Sequence, residues 1–203
     1  MDHTITSLAA LRTLYAAPKE RAVKKQLSAL DKHCRHFIAL SPCVVLATAG
    51  ADGQQDASPR GGAPGFVQVV DDRTLLIADS PGNNRLDTLE NIVATGRIGL
   101  LFMVPGVDET LRVNGAAVLS RAPDELARCT TERRAPVLVI RVSVNEAYLQ
   151  CAKALMRSSL WDPASRVERT ALPSAGQMLA DHTGVQTPPE TPEEMRRRYA
   201  PDL

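Results

Sequence analysis

Cys43-Val44-Val45-Leu46-Ala47-Thr48, followed by the turn Gly50-Ala51-Asp52-Gly53, is the stretch that decides the fold. A short, largely apolar run rich in β-branched residues and bounded by glycine turns reads as a buried strand. Outward from it, an extended segment spans Asp56 to Arg60, then come Gly61-Gly62 and Pro64-Gly65. Phe66 to Val70, the turn Asp71-Asp72, and Thr74 to Ala78 read as a hairpin. Asn84 to Ile92 is expected as a short helix with its N-terminus at Gly82-Asn83, and Ile98–Val104, Thr110–Leu119 and Pro136–Val144 as further strands. Turn signals about every 8–12 residues, with only short helices between strands, favour a closed antiparallel barrel over a parallel α/β sheet. The expected class is mainly β with flanking helices (α+β), built on about six antiparallel strands.

The flanks are helical. Thr6 to Tyr15 carries Leu8, Leu11 and Leu14 at helical spacing, and Ala22 to Phe37 reads as one helix stopped by Ser41-Pro42. After Glu146 the chain is expected to turn helical from Ala147 to Leu160. Gln186-Thr187-Pro188-Pro189-Glu190 reads as a stiff linker into Thr191-Pro192-Glu193-Glu194, a capping box with proline at the first helical position. The expected organisation is one domain: a helical segment 1–40, a barrel core 41–146, a helical extension 147–185 and a tail 186–203.

With 203 residues, 44% hydrophobic and 23% charged, the chain is long enough to bury a sizeable core. A net charge of +1 implies neither nucleic acid nor a membrane surface as partner. No apolar run approaches the roughly 18 residues that span a bilayer. No basic region precedes an apolar stretch at Met1-Asp2-His3, so a secretory signal is not expected. The cysteines Cys34, Cys43, Cys129 and Cys151 lie far apart and form no C-x-x-C pair, which reads as reduced thiols in a cytoplasmic protein.

Three arginine-bearing turns concentrate the chemistry: Ser58-Pro59-Arg60-Gly61, Gly82-Asn83-Asn84-Arg85-Leu86-Asp87 and Thr110-Leu111-Arg112-Val113-Asn114-Gly115. The guanidinium fork suits phosphate, and amides at turns and helix starts add donors. Each alone has a plainer reading: simple capping by Asn83 or Asn84, a strand-end turn at Pro59, or an outward Arg112 that needs no partner. Together they point to a phosphate-bearing ligand. His33-Cys34-Arg35-His36 is short of ligands and reads as a solvated helix end, so no metal site is expected. There is no G-x-S-x-G, P-loop or G-x-G-x-x-G. Arg196-Arg197-Arg198 reads as a solvated helix face.

In this order the motifs resemble the pyridoxamine 5′-phosphate oxidase-like flavoproteins, the FMN-binding split β-barrel superfamily, and within it a bacterial flavin-nucleotide-binding subfamily. The likeness spans roughly residues 4–180. It rests on Phe37-Ile38 through Ser41-Pro42, Ala47-Thr48-Ala49, the three arginine turns with Asp87-Thr88-Leu89, Pro64-Gly65-Phe66, and Cys151-Ala152-Lys153-Ala154 with Arg157-Ser158 and Leu160-Trp161.

The resemblance implies a six-stranded split β-barrel and a homodimer holding FMN at the subunit interface. By motif position, Ser58, Pro59, Arg60 and Gly61 would run along the flavin and ribityl chain. Asn84 and Arg85 would hold the phosphate beside Asp79. Thr110 and Arg112 fall where the family contacts the flavin or phosphate, and Lys153 and Trp161 would come from the partner's C-terminal helix. An acidic residue is expected after Gly61 and an arginine near Asp79, where Gly62 and Ala78-Asp79-Ser80 stand, which implies weaker phosphate binding. No separate catalytic acid or base is assigned. The functional reading is an FMN-dependent oxidoreductase of unknown substrate. A non-catalytic flavin carrier or sensor, and a haem- or F420-binding barrel, stand as alternatives.

Overall fold

A computed structural model describes residues 3–80, 82–131, 135–184 and 190–202. Seven strands make one sheet: β1 (Cys43–Ala49), β2 (Gln55–Gly61), β3 (Gln68–Val69), β4 (Thr74–Ala78), β5 (Arg97–Met103), β6 (Thr110–Ser120) and β7 (Val139–Gln150). Their order is β2-β1-β5-β6-β7-β4-β3, every neighbouring pair antiparallel. The helices are α1 (Leu8–Thr13), α2 (Glu20–Lys24), α3 (Lys32–Leu40), α4 (Asp87–Thr95), α5 (Pro123–Cys129), α6 (Lys153–Ser158), α7 (Ala175–Thr183) and α8 (Pro192–Tyr199).

The architecture is the expected split barrel, with two differences. There are seven strands rather than six, the extra one being β2, read from sequence only as an extended segment, and β2 and β3 end the sheet without pairing to each other. Pro59 suits the edge position of β2, because an edge strand can do without a ladder donor.

The core forms where one face of the sheet meets α3 and α4. Val44, Leu46, Leu100, Phe102, Leu111 and Val113 point inward, and Ile38 of α3 and Ile92 of α4 close over them. β4 is buried on both faces. Leu75 and Ile77 enter this core, while Leu76 packs with Val139 and Cys129 under α5. Two covered faces explain an unbroken apolar run where an open sheet would alternate.

Three helical expectations are corrected. Ala22–Phe37 is not one helix: Leu27 exchanges backbone hydrogen bonds with Ala147 (2.9 Å each way), and the chain restarts at Asp31. Asp31 caps α3 by accepting from the His33 and Cys34 amides (3.0 and 2.8 Å), and the Cys34 amide bond holds its carboxyl below the ordinary range. Burial, with the Asp31 side chain behind it, pushes the Cys34 thiol up to about 11. Ala147 to Gln150 are strand, not helix, because β6 continues beside them through Thr110↔Gln150. The asparagine loop delays α4 until Asp87, since Asn84 and Leu86 both adopt left-handed backbone (φ 60° and 56°). The helix α5 carried no expectation.

The capping box on α8 is present as expected, with Thr191 and Glu194 bonding reciprocally. The linker residues Gln186 to Pro189 lie outside the described residues. Helices α1, α2, α6, α7 and α8 hold no buried residue. Many of their apolar side chains stand in solvent, Leu8 81% exposed and Met156 61%. Among the described residues no helix is long and apolar enough to cross a membrane.

Candidate functional site

A cleft of about 870 Å³ opens where the sheet fails to close, between edge strand β2 and the C-terminal end of β4. Its walls are Ser58 to Gly61 of β2, Phe66, Ala78 and Asp79 at the end of β4, the loop Gly82–Leu86, the first turn of α4, and Val137-Leu138. Its volume lies within the range of about 300–1,000 Å³ usual for small-molecule sites. Seven of the eleven expected site residues meet here: Ser58, Pro59, Arg60, Gly61, Asp79, Asn84 and Arg85.

Local structure explains the arrangement. Along β2 the alternation places Asp56, Ser58 and Arg60 on the half-buried face, with Gln55, Ala57, Pro59 and Gly61 exposed. Arg60 donates to the adjacent Pro59 carbonyl (3.0 Å), and among the described residues no carboxylate pairs with it. Arg85 is presented by a turn in which its amide donates to Asn83 Oδ1 (3.1 Å). Its Nε donates to Asp87 Oδ2 at 2.9 Å, and this bond raises the guanidinium's proton affinity further. The side chain is nonetheless 74% exposed. Neither Asn83 nor Asn84 caps α4; the N-cap position falls on Leu86, which has no capping side chain. Arg85 thus sits in a loop outside the helix, and the expected helix start at Gly82-Asn83 is replaced by one at Asp87.

The other four residues gather elsewhere, around the start of β6. Thr110 pairs with Gln150, the last residue of β7, and α6 begins three residues later at Lys153. Trp161 Nε1 donates to the Val107 carbonyl (2.9 Å) in the loop that leads into β6. Arg112 Nη1 donates to the Tyr148 hydroxyl (2.8 Å), and its guanidinium lies 5.5 Å from that ring. Lys25 lies 5.3 Å from the same ring. Leu111 and Val113 point into the core, so Arg112 faces outward, half-buried against a hydroxyl and an aromatic face.

Sequence reading missed Thr88 and Phe66 in the walls, and Asp56 behind them. Asp56 was legible: it stands two residues before Ser58 and four before Arg60, hence on their face of the strand. Thr88 was not, because its role needs α4 folded back on β2. Among the described residues no group of three or more His, Cys, Asp or Glu is placed to hold a metal. Cys34, in the expected solvated helix end, is instead part of the core.

The chain belongs to the pyridoxamine 5′-phosphate oxidase family, whose model matches residues 30–151. Among solved structures, HupZ of Group A Streptococcus shares the fold at 18% identity and a TM-score of 0.50, over 59% of this chain and 93% of that one. An FMN-binding protein from Syntrophomonas wolfei subsp. wolfei is 14% identical with a TM-score of 0.46, over 58% and 83%. No curated protein matches the chain.

Proposed function

We propose that the chain is an FMN-binding flavoprotein, acting as an oxidoreductase from a homodimer with two shared sites. The observation that carries this reading is the meeting of Arg60, Asn84 and Arg85 around one cleft of ligand size. Membership of a family that commonly binds flavin supports the same cofactor.

The residues present fit the cofactor. Arg85 and the surrounding turn offer donors to a phosphate, and Arg60 adds a cation on the opposite wall. Asp87 competes for Arg85, so a bound phosphate must share or displace that carboxylate. Phe66 and Leu138 supply apolar surface for a ring system, and the edge of β2 runs alongside. The flavin itself supplies hydride or electron transfer. The chain's own residues bind and orient it, and Arg60 and Arg85 offset its negative charge.

Thr110, Arg112, Lys153 and Trp161 do not line the cleft in the same chain. A two-fold arrangement would let each chain lend this group to its partner's cleft, giving two equivalent sites. The exposed apolar residues of the terminal helices favour such an assembly, since patches of this kind commonly mark interfaces.

Absorbance during flavin titration tests the cofactor, and stopped-flow reduction by NADH or NADPH separates an oxidoreductase from a carrier. Protein that stays colourless and ignores added FMN sinks the reading. Truncation before Cys151 is expected to lower FMN affinity with the barrel still folded. A full-length monomer at micromolar concentration that binds FMN in full would overturn the shared site.

A further inference from the structure

We propose that Asp56 is a positioning residue that ties the two walls of the cleft together, holding α4 and its preceding arginine loop against β2. The proposal rests on the flavin-binding reading of the cleft. Asp56 does not line the cleft; it stands behind it. Its Oδ1 accepts from Ser58 Oγ (2.8 Å) on the β2 wall. Its Oδ2 accepts from Thr88 Oγ1 (2.5 Å), three residues beyond Arg85 on the opposite wall. Thr88 is 2% exposed and Asp56 half-buried, so this bond is partly shielded from water.

A second strut runs parallel to the first. Thr48 Oγ1 of β1 lies 3.5 Å from Asp56 Oδ2 and accepts from Asn91 Nδ2 of α4 (3.0 Å). Thr88 and Asn91 are three apart and share one helix face. The helix therefore meets the sheet edge through two side chains that converge on one carboxylate hub. Buried hydrogen bonds to a charged group are among the stronger ones, and leaving one partner orphaned costs more than the bond contributes.

The carboxylate also fixes proton direction. An ionised aspartate only accepts, so Ser58 and Thr88 must point their hydroxyl protons at it. Ser58 Oγ then turns only lone pairs toward the cleft. A ligand group beside Ser58 must bring its own donor, as a sugar-like hydroxyl chain or an imide N–H does.

The test measures FMN and riboflavin affinity for the wild type, Asp56→Ala, Thr88→Val and the double variant. Riboflavin lacks the phosphate that Arg85 would hold. Loosening α4 is expected to weaken FMN about tenfold and riboflavin less, so the preference for the phosphate shrinks. Thr88→Val is expected to reproduce most of the loss, and the double variant to add little to it. Equal losses for both flavins, or fully additive losses, would overturn the positioning role. Amide hydrogen exchange of residues 88–91 in flavin-free protein reads the tie without any ligand. Faster exchange there in Asp56→Ala or Thr88→Val supports it, and unchanged exchange refutes it. A wild type that binds neither flavin defeats the flavin reading alone, and the exchange measurement still decides the tie. If Asp56→Ala does not fold, Thr88→Val carries both readouts.

Discussion

Replacing Arg85 with alanine is expected to weaken FMN binding by about ten- to hundredfold, whereas Arg196→Ala leaves it unchanged. Both arginines are exposed and both touch an acid, Arg85 with Asp87 at 2.9 Å and Arg196 with Glu193 at 3.4 Å. Their difference is position. Arg85 lines the cleft and Arg196 lies on α8. Removing Arg85 also leaves Asp87 unpaired beside the place a phosphate would occupy, so repulsion adds to the lost contact. The wild-type affinity should fall with added salt, because an exposed guanidinium is screened by ions. Fluorescence titration of the two variants decides the matter, and equal affinities would refute the assignment of Arg85.

Gly115→Ala is expected to destabilise the fold by about 3 kcal/mol, the upper part of the range for overpacking. A methyl group there would collide with the Ser143 carbonyl oxygen and stand 3.3 Å from Val144 Cα. Both are backbone atoms of β7, opposite the point where the β6–β7 register shifts between Asn114 and Gly115. Relief requires opening the longest strand pair in the sheet. In a chain of this size the loss corresponds to a melting temperature lower by roughly 6–12 °C. Gly82→Ala is the control, since an added methyl there meets nothing within 4 Å. A melt of Gly115→Ala that coincides with the wild type would show that β7 yields easily.

Much of the fold was legible because local chemistry and tertiary structure agreed. The apolar run from Cys43 marked β1, the Asp71-Asp72 turn marked a hairpin, and Thr191 with Glu194 marked the start of α8. Sequence reading failed where a distant partner overrode local pattern. Leu149 stands at helical spacing with Ala152, Leu155 and Met156, yet β6 holds Tyr148-Leu149-Gln150 extended through eleven paired positions. Leu27 sits mid-pattern in a helical stretch and is drawn off by Ala147. Arg60 and Arg85, which line the cleft, stood out in the sequence because arginine beside a turn is a recognisable signal. The separation of Thr110 and Arg112 from the cleft was invisible, since it depends on which end of a strand each occupies in space, whereas Lys153 and Trp161 were expected from a partner chain.

Two left-handed residues other than glycine flank Arg85, at Asn84 and Leu86. Asparagine tolerates that backbone, but leucine is forced into it at about 1–2 kcal/mol. The loop is therefore under tension, and the most stable sequence for this chain is not the one it carries. A selection for heat resistance alone should find Leu86→Gly early, because glycine relieves the twist. The same change would slacken the mount that aims Arg85, so the hardier protein is expected to hold its anionic ligand less well. Durability and grip pull this short segment in opposite directions.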